Sequence, residues 1–356
     1  MPKKALITGV NGQDGCLLSR LLLKEDVEVH GIVRRSSVFN TARIDDLMES
    51  SLYNDKFFLH HGDLGDSSCL GALVSKIKPD YVFNLGAQSH VKVSFEIPEH
   101  TADVDGLGVL RLINAIQEYA PESRFYQAGT SEMFGGLEDE MPVTGYTEKS
   151  QFHPRSPYGA AKLYGHWITR NYREAYNLFA SNGILFNHES PYRGRTFVTR
   201  KITTWCANRQ HKLELSSIAN DLDPIQSLKL GNIYAKRDWG HAADFVDAMW
   251  KIVNHKTADD WVVATGETYT VKHFITECFK FFNWPLEWVG TGVNERGISR
   301  GETVVEIDAK YFRPSEVDIL LGDSTKIRDA LGWKPKYNLA SLVENMLKSD
   351  LNQPAY

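Results

Sequence analysis

The chain has 356 residues, 42% of them apolar and 24% charged, and a formal net charge of −5 at pH 7. That length exceeds what one core needs, so a large domain with a smaller partner is expected, and no apolar run is long enough to span a bilayer. The charge offers no general attraction for nucleic acid, so any anion site must be local. From MPKK the chain enters a strand, Lys4–Thr8, with no signal-peptide pattern. Its four cysteines (Cys16, Cys69, Cys206, Cys278) show no metal-ligand spacing. Reduced thiols in a cytoplasmic protein, and no metal, are the expectations.

After the first strand comes Gly9-Val10-Asn11-Gly12-Gln13-Asp14-Gly15 and an apolar-periodic helix over 16–23. Strand, glycine-rich turn and helix form the context in which such glycines bind a dinucleotide. Gly9 permits the tight turn, Gly12 lets backbone amides approach a pyrophosphate, and Gly15 lets helix and strand pack closely. The GxxGxxG spacing resembles the short-chain dehydrogenase/reductase variant of this turn. The second strand, 27–33, ends in Arg34-Arg35-Ser36-Ser37, where an NAD site would carry a carboxylate for the ribose 2′-hydroxyl. Two guanidiniums and two hydroxyls suit a 2′-phosphate instead, so NADP is expected. A solvated basic turn or a subunit contact is the alternative.

The pattern then repeats. Phe57–His61 leads to Asp63-Leu64, where Asp63 either meets the adenine edge or caps a loop. A strand at 81–85, ending on Leu85, runs into Gly86, Ala87, Gln88 and Ser89, small residues where backbone must pass close to a cofactor. A helix over 101–119 and a strand at Arg124–Ala128 follow. This alternation predicts an α/β fold, a Rossmann-like doubly wound parallel sheet, with ligands at the carboxyl ends of its strands. At the end of the fifth strand stands Gly129-Thr130-Ser131-Glu132. If the chain stays extended, Thr130 and Glu132 point into the crevice and Ser131 away.

In RSPYGAAKLYGHW, 155–167, Ser156 is a good N-cap and Pro157 suits the first helical position. Tyr158 and Lys162, four residues apart, then share one helical face. A free phenol titrates near ~10. A fixed ammonium, helped by a cationic nicotinamide ring, would lower that value and make Tyr158 a base. YxxxK alone is a weak pattern, and a half-packed Tyr beside a solvated Lys is its bland reading. Further on, helices are expected over 199–209, 242–253, 271–282, after Asp323-Ser324, and over 339–347, with strands at 261–265 (the last of the large sheet) and 304–307. The Rossmann domain is expected to comprise 1–187 with 231–265, and a smaller α/β substrate domain 188–230 with 266–356. Lys201, Arg237 and Arg313 each read, taken alone, as surface charges. Their place in the family-like motifs FVTRKI, KRDWGHA and YFRPSEVD is what makes them candidates for a nucleoside diphosphate, which needs fixed positive charge. Glu316 would suit a guanine N–H edge or a ribose hydroxyl, and Asn187 a sugar or phosphate oxygen.

ALITGVNGQDG, VHGIVRRSS, LGAQSHV, TADVDG, RSPYGAAKLYGHW, NGILFNHESP, FVTRKI, KRDWGHA and YFRPSEVD together resemble the GDP-mannose 4,6-dehydratases of the extended short-chain dehydrogenase/reductase superfamily, nearly end to end. The resemblance implies a catalytic set of Thr130, Glu132, Tyr158 and Lys162. It implies cofactor contacts from Gly9 to Asp14, Arg34 to Ser37, Asp63-Leu64, Leu85 to Ser89, Lys162, His188 and Arg193. The sequence departs from the pattern at His100, Gly129, Tyr192 and a polar insertion, 216–228, expected as a surface loop. The implied reaction converts GDP-mannose to its 4-keto-6-deoxy derivative by internal hydride transfer through tightly bound NADP, a step toward GDP-fucose or GDP-rhamnose. The Arg-Arg-Ser-Ser stretch resembles a loop that reaches neighbouring cofactor sites in tetrameric relatives, so a homo-oligomer, dimer or tetramer, is expected, with neither nucleic acid nor membrane as partner. The rival readings are a nucleotide-sugar 4-epimerase, which needs no acid at C5/C6, and a catalytically silent NADP-binding regulator.

Overall fold

Residues 2–37, 40–53, 55–216 and 226–353 are described by the computed structural model. Most of the expected insertion, 217–225, lies outside them. Six strands alternate with helices in the first half: β1 (Lys4–Thr8), β2 (Glu28–Val33), β3 (Phe57–His61), β4 (Tyr81–Asn84), β5 (Arg124–Ala128) and β6 (Ala180–Leu185). With Asp260–Val263 they make a seven-stranded sheet, ordered Asp260–Val263, β6, β5, β4, β1, β2, β3, and every pairing is parallel. Their near-continuous apolar runs follow from burial on both faces. In β1, Ala5 and Ile7 enter the cluster of the first helix, α1 (Gln13–Lys24), while Leu6 enters the cluster on the opposite face.

The strand order reverses between β1 and β4, which opens a crevice at their carboxyl ends. Gly9 turns the chain there with φ +67, and a Cβ on Gly9 would lie 2.9 Å from Gly86 Cα across the crevice. The helix expected over 101–119 is interrupted. It runs as Pro98–Ala102, a π turn at Asp103–Leu107, and Gly108–Tyr119. Within that turn the Asp105 carboxylate accepts the Gln88 backbone N–H at 2.7 Å, tying the helix to the crevice loop.

The second unit is a four-stranded sheet, ordered Glu287–Val289, Arg296–Ser299, Glu302–Ile307, Leu228–Leu230, with only the last pairing parallel. It packs with Val198–Ser216, Val271–Phe281 and Leu339–Leu351 around Ile202, Phe274, Leu342 and Met346. Two of these helices run further than expected. Val198–Ser216 continues seven residues past 209, and the last helix starts with a capping box at Asn338 and Ser341 and reaches Leu351. Ile327 and Trp333, far along the chain, belong to the core of the large sheet.

Candidate active site

A cavity of about 730 Å³ sits where the strand ends meet the second unit. Thr130, Glu132, Tyr158, Lys162, Asn187, Lys201, Arg237, Arg313 and Glu316 all line it. The sequence brings them there by local rules. Ser156 Oγ accepts the Gly159 N–H at 3.0 Å and Pro157 opens a 20-residue helix, which sets Tyr158 and Lys162 one turn apart on the cavity side.

The backbone at Glu132 is not extended. Thr130 is the last extended residue, Ser131–Phe134 form a 3₁₀ turn, and the Thr130 hydroxyl caps it by accepting the Glu132 N–H at 3.2 Å. Strict alternation therefore fails here: Ser131 lines the cavity together with its two neighbours. Gly135 with φ +83 and Gly136 with φ +62 allow the chain to curl so tightly.

Glu132 is buried. One of its oxygens takes Arg313 Nη1 at 3.2 Å, and the other, Oε2, has no hydrogen-bond partner among the described residues. Thr130 and Tyr158 line the cavity beside Glu132, so hydroxyl, phenol and carboxylate stand together. Lys162 is buried, donates to the Ala128 carbonyl at 3.1 Å, and places its ammonium 5.8 Å from the Tyr158 ring centroid. Burial pushes the phenol up, the Asp105 and Glu132 charges add to that, and the neighbouring Thr130 hydroxyl and Arg193 only partly oppose it.

Arg237 is buried and its pKa is drawn down to about 10, by burial first and then by neighbouring Arg313, against Glu132, Glu316 and Asp318. Two crowded guanidiniums facing one cavity have the charge to take up a multiply charged anion. Glu316 is less free than expected: one oxygen accepts the Arg313 backbone N–H at 3.0 Å. Lys201 donates to the Lys229 carbonyl at 2.5 Å and sits 3.8 Å from the Tyr311 ring centroid. Asn187 Oδ1 is buried without a hydrogen-bond partner among the described residues, an acceptor that a ligand donor would satisfy.

Of the residues expected to hold a dinucleotide, Asp14, Leu85, Ala87, Ser89, Lys162, His188 and Arg193 line the same cavity. Gly9 to Gly12 form the turn that leads into α1, and Gln13 is the first residue of that helix. Gly12 starts α1 without a side-chain cap, and a Cβ there would meet only Gly9 O, at 3.1 Å, so the helix amides remain open to an anion. That cradle fits a pyrophosphate. Other members of the set have structural duties. Val10 is fully buried against Gly31, and Asn11 donates to the Asn40 carbonyl at 3.0 Å. Gly86 N–H donates to Thr8 Oγ1 at 3.0 Å, and Gln88 binds the His90 carbonyl and Thr101. Arg34, Arg35, Ser36 and Ser37 are exposed past the end of β2, outside the cavity. Asp63 accepts the Gly65 N–H at 2.8 Å, the loop-capping alternative, and Leu64 is buried in the apolar core. His188 has both ring nitrogens engaged, Nδ1 with the Phe186 carbonyl at 2.7 Å and Nε2 with Asp14 at 2.9 Å. Arg193 pairs with Glu189 at 3.0 Å.

Sequence reasoning missed Asp105. It is buried, its Oδ2 has no hydrogen-bond partner among the described residues, and burial pushes its pKa up to about 6 against the Lys162 charge. A signal existed: Asp105 falls four residues before Val109, on the apolar face of the helix that follows, where a carboxylate is costly without a task.

A family profile described as GDP-mannose 4,6 dehydratase matches residues 6–346. The chain belongs to the GDP-mannose 4,6-dehydratase family. It is 48% identical over 355 residues to the Drosophila melanogaster protein called GDP-mannose 4,6 dehydratase, covering 98% of this chain and 86% of that one. To the Homo sapiens protein of the same name it is 48% identical over 353 residues, covering 98% and 91%. To the Vibrio cholerae GDP-mannose 4,6-dehydratase it is 48% identical over 366 residues, covering 99% and 94%. Among solved structures, DesIV from Streptomyces venezuelae, a dTDP-glucose 4,6-dehydratase with NAD and TYD bound, superposes with a TM-score of 0.78 at 19% identity, covering 97% of this chain and 96% of that one. RMD from Pseudomonas aeruginosa, complexed with NADPH, superposes with a TM-score of 0.72 at 19% identity, covering 99% and 100%. These structural neighbours share the fold of the family.

Proposed function

We propose that this protein is a hydro-lyase, a GDP-mannose 4,6-dehydratase that uses a bound nicotinamide dinucleotide. The observation that carries the reading is the convergence of Tyr158, Thr130 and Glu132 in one cavity that Arg237 and Arg313 also line, with Arg313 3.2 Å from Glu132. Family membership supports the substrate. The open amides of α1 support the dinucleotide, and Arg34, Arg35, Ser36 and Ser37 support NADP over NAD. When bound, the dinucleotide supplies a place for the C4 hydride to go and to come back from, and its ring charge offsets the burial that raises the Tyr158 phenol. Lys162, which lines the cavity beside Tyr158, would hold the nicotinamide ribose. Tyr158 takes the proton of the sugar 4-hydroxyl as C4 is oxidised, and Thr130 hydrogen-bonds the 4-oxygen. The resulting ketone acidifies C5–H. Glu132 removes that proton and delivers it to the departing C6 hydroxyl, which leaves as water. C5 then regains a proton, balancing the one given up at the 4-hydroxyl. Arg237, Arg313 and Lys201 face the diphosphate, and Asn187 and Glu316 face sugar, ribose or base.

The same reading takes the protein as cytoplasmic and as a dimer or tetramer. It divides the chain at 187, 230 and 265 between cofactor and substrate halves. Among the described residues no helix is long and apolar enough to cross a membrane. Glu132→Gln tests the chemistry. The variant should still oxidise C4, seen as reduced-dinucleotide absorbance on adding GDP-mannose, and should lose water elimination by roughly 10²–10⁴-fold. Full dehydration by that variant would falsify the role given to Glu132, and a GDP-hexose epimeric at C4 from the unaltered enzyme would replace the whole reading.

A further inference from the structure

Behind the glycine-rich turn lies a second cavity of about 610 Å³, bounded by α1, the 190–195 segment, the start of Val198–Ser216 and the end of Leu339–Leu351. Four guanidiniums line it: Arg43, Arg193, Arg195 and Arg200. Glu189 pairs with Arg193 at 3.0 Å and Asp350 with Arg200 at 2.7 Å. Arg43 donates to the Tyr192 carbonyl at 2.7 Å, and Arg195 to Gln353 Oε1 at 3.0 Å. Arg200 is the telling residue. It is only 2% exposed, yet its Nε and Nη1 have no hydrogen-bond partner among the described residues. Burial draws its pKa down, Asp350 opposes that, and the nearby charges of Arg195 and Arg43 add to it. A buried guanidinium with two idle donors, crowded by like charges, is stabilised by an oxyanion that accepts both. Arg193 and Arg195 also line the larger cavity, so an occupant here would share a wall with the candidate active site.

We propose that this pocket is a second anion site, built around Arg200 with Arg43 and Arg195, that takes a phosphate group. The assignment rests on these side chains and not on which sugar nucleotide the larger cavity turns over. The phosphate belongs either to the free ion or to a nucleotide, and the chemistry of recognition is common to both.

The test uses the full chain loaded with NADP, with GDP added to fill the larger cavity. Thermal unfolding and calorimetry follow additions of inorganic phosphate, pyrophosphate and GMP, each against sodium chloride of equal ionic strength. A saturable rise in Tm with phosphate, absent with chloride, is expected. GMP binding more tightly than phosphate would identify a nucleotide as the source, and the reverse order the free ion. Arg200→Met should abolish the response, but that buried position can affect folding. Ser349→Glu, which places a carboxylate on the rim of this pocket alone, should weaken phosphate at least tenfold in a folded protein. A phosphate response no larger than that of chloride, or one unchanged in Ser349→Glu, overturns the site. Failure of GDP itself to raise Tm would instead count against the proposed substrate, and the Ser349→Glu comparison would still report on this pocket.

Discussion

At the scale of single residues, Arg313 has two claims on it. It donates to Glu132 at 3.2 Å, and it stands beside Arg237 where a diphosphate would lie. These roles separate experimentally. GDP carries the diphosphate but no hexose, so Arg313→Gln should weaken GDP and raise the KM for GDP-mannose in parallel, each by about tenfold or more, the scale of a charge-assisted hydrogen bond. Unchanged GDP affinity with a fallen kcat would mean that Arg313 serves Glu132 and not the phosphates. The sequence made part of this legible. Tyr158 and Lys162 could be placed because a cap and a helical period fix them relative to each other. The Arg313–Glu132 contact could not, because it joins positions 181 residues apart. Nor could the curl at Glu132, since two residues with positive φ, Gly135 and Gly136, decide it from downstream.

At the scale of elements, the joint between the first turn and the chain beyond β6 determines the shape of the crevice. Gly15 packs so closely that a Cβ there would come within 2.6 Å of Val10 Cα, and backbone cannot move aside as a flexible side chain can. Gly15→Ala should therefore distort the turn and lower dinucleotide content in the purified protein, measured by absorbance of the released cofactor. Full occupancy would show that the turn tolerates the methyl group. On the other side of the joint, buried His188 and half-buried Asp14 form a pair at 2.9 Å. Burial alone would lower the His188 pKa, but the Asp14 charge and hydrogen bond and the Phe186 carbonyl raise it. Burial would raise Asp14, and His188, Gln13 and Arg193 together lower it. The histidine's share of stability is then complete below its unfolded value of about 6.5 and is lost as pH rises through the folded value. The aspartate's share is present above its unfolded value and is lost as pH falls through the depressed one. Urea midpoints of the unaltered protein should thus decline on the alkaline side, and His188→Gln should flatten that decline. A parallel decline in both proteins would contradict it. The alternation of strand and helix was readable because burial on both faces demands apolar runs. The π turn at Asp103–Leu107 was not readable, because a tertiary contact from Asp105 to the crevice loop holds it.

At the scale of the whole molecule, a seven-stranded sheet holds one set of groups at its strand ends, and the helix Val198–Ser216 and the segments around Arg237 and Arg313 bring charged side chains to the same cavity. The number of layers followed from length and periodicity. The path of the chain between them did not: Ile327 and Trp333 return to the large core, and only packing reveals it. The central claim is that hydride leaves C4 of a mannose ring and re-enters the same molecule at C6, while Glu132 carries water away between those events. The most direct measurement uses GDP-mannose deuterated at C4, with the product read by NMR and mass spectrometry. The account predicts a 4-keto-6-deoxy sugar with the deuterium in its C6 methyl group and no net accumulation of reduced dinucleotide. Deuterium found in the dinucleotide pool, lost to water, or retained at C4 of an epimerised hexose would contradict it.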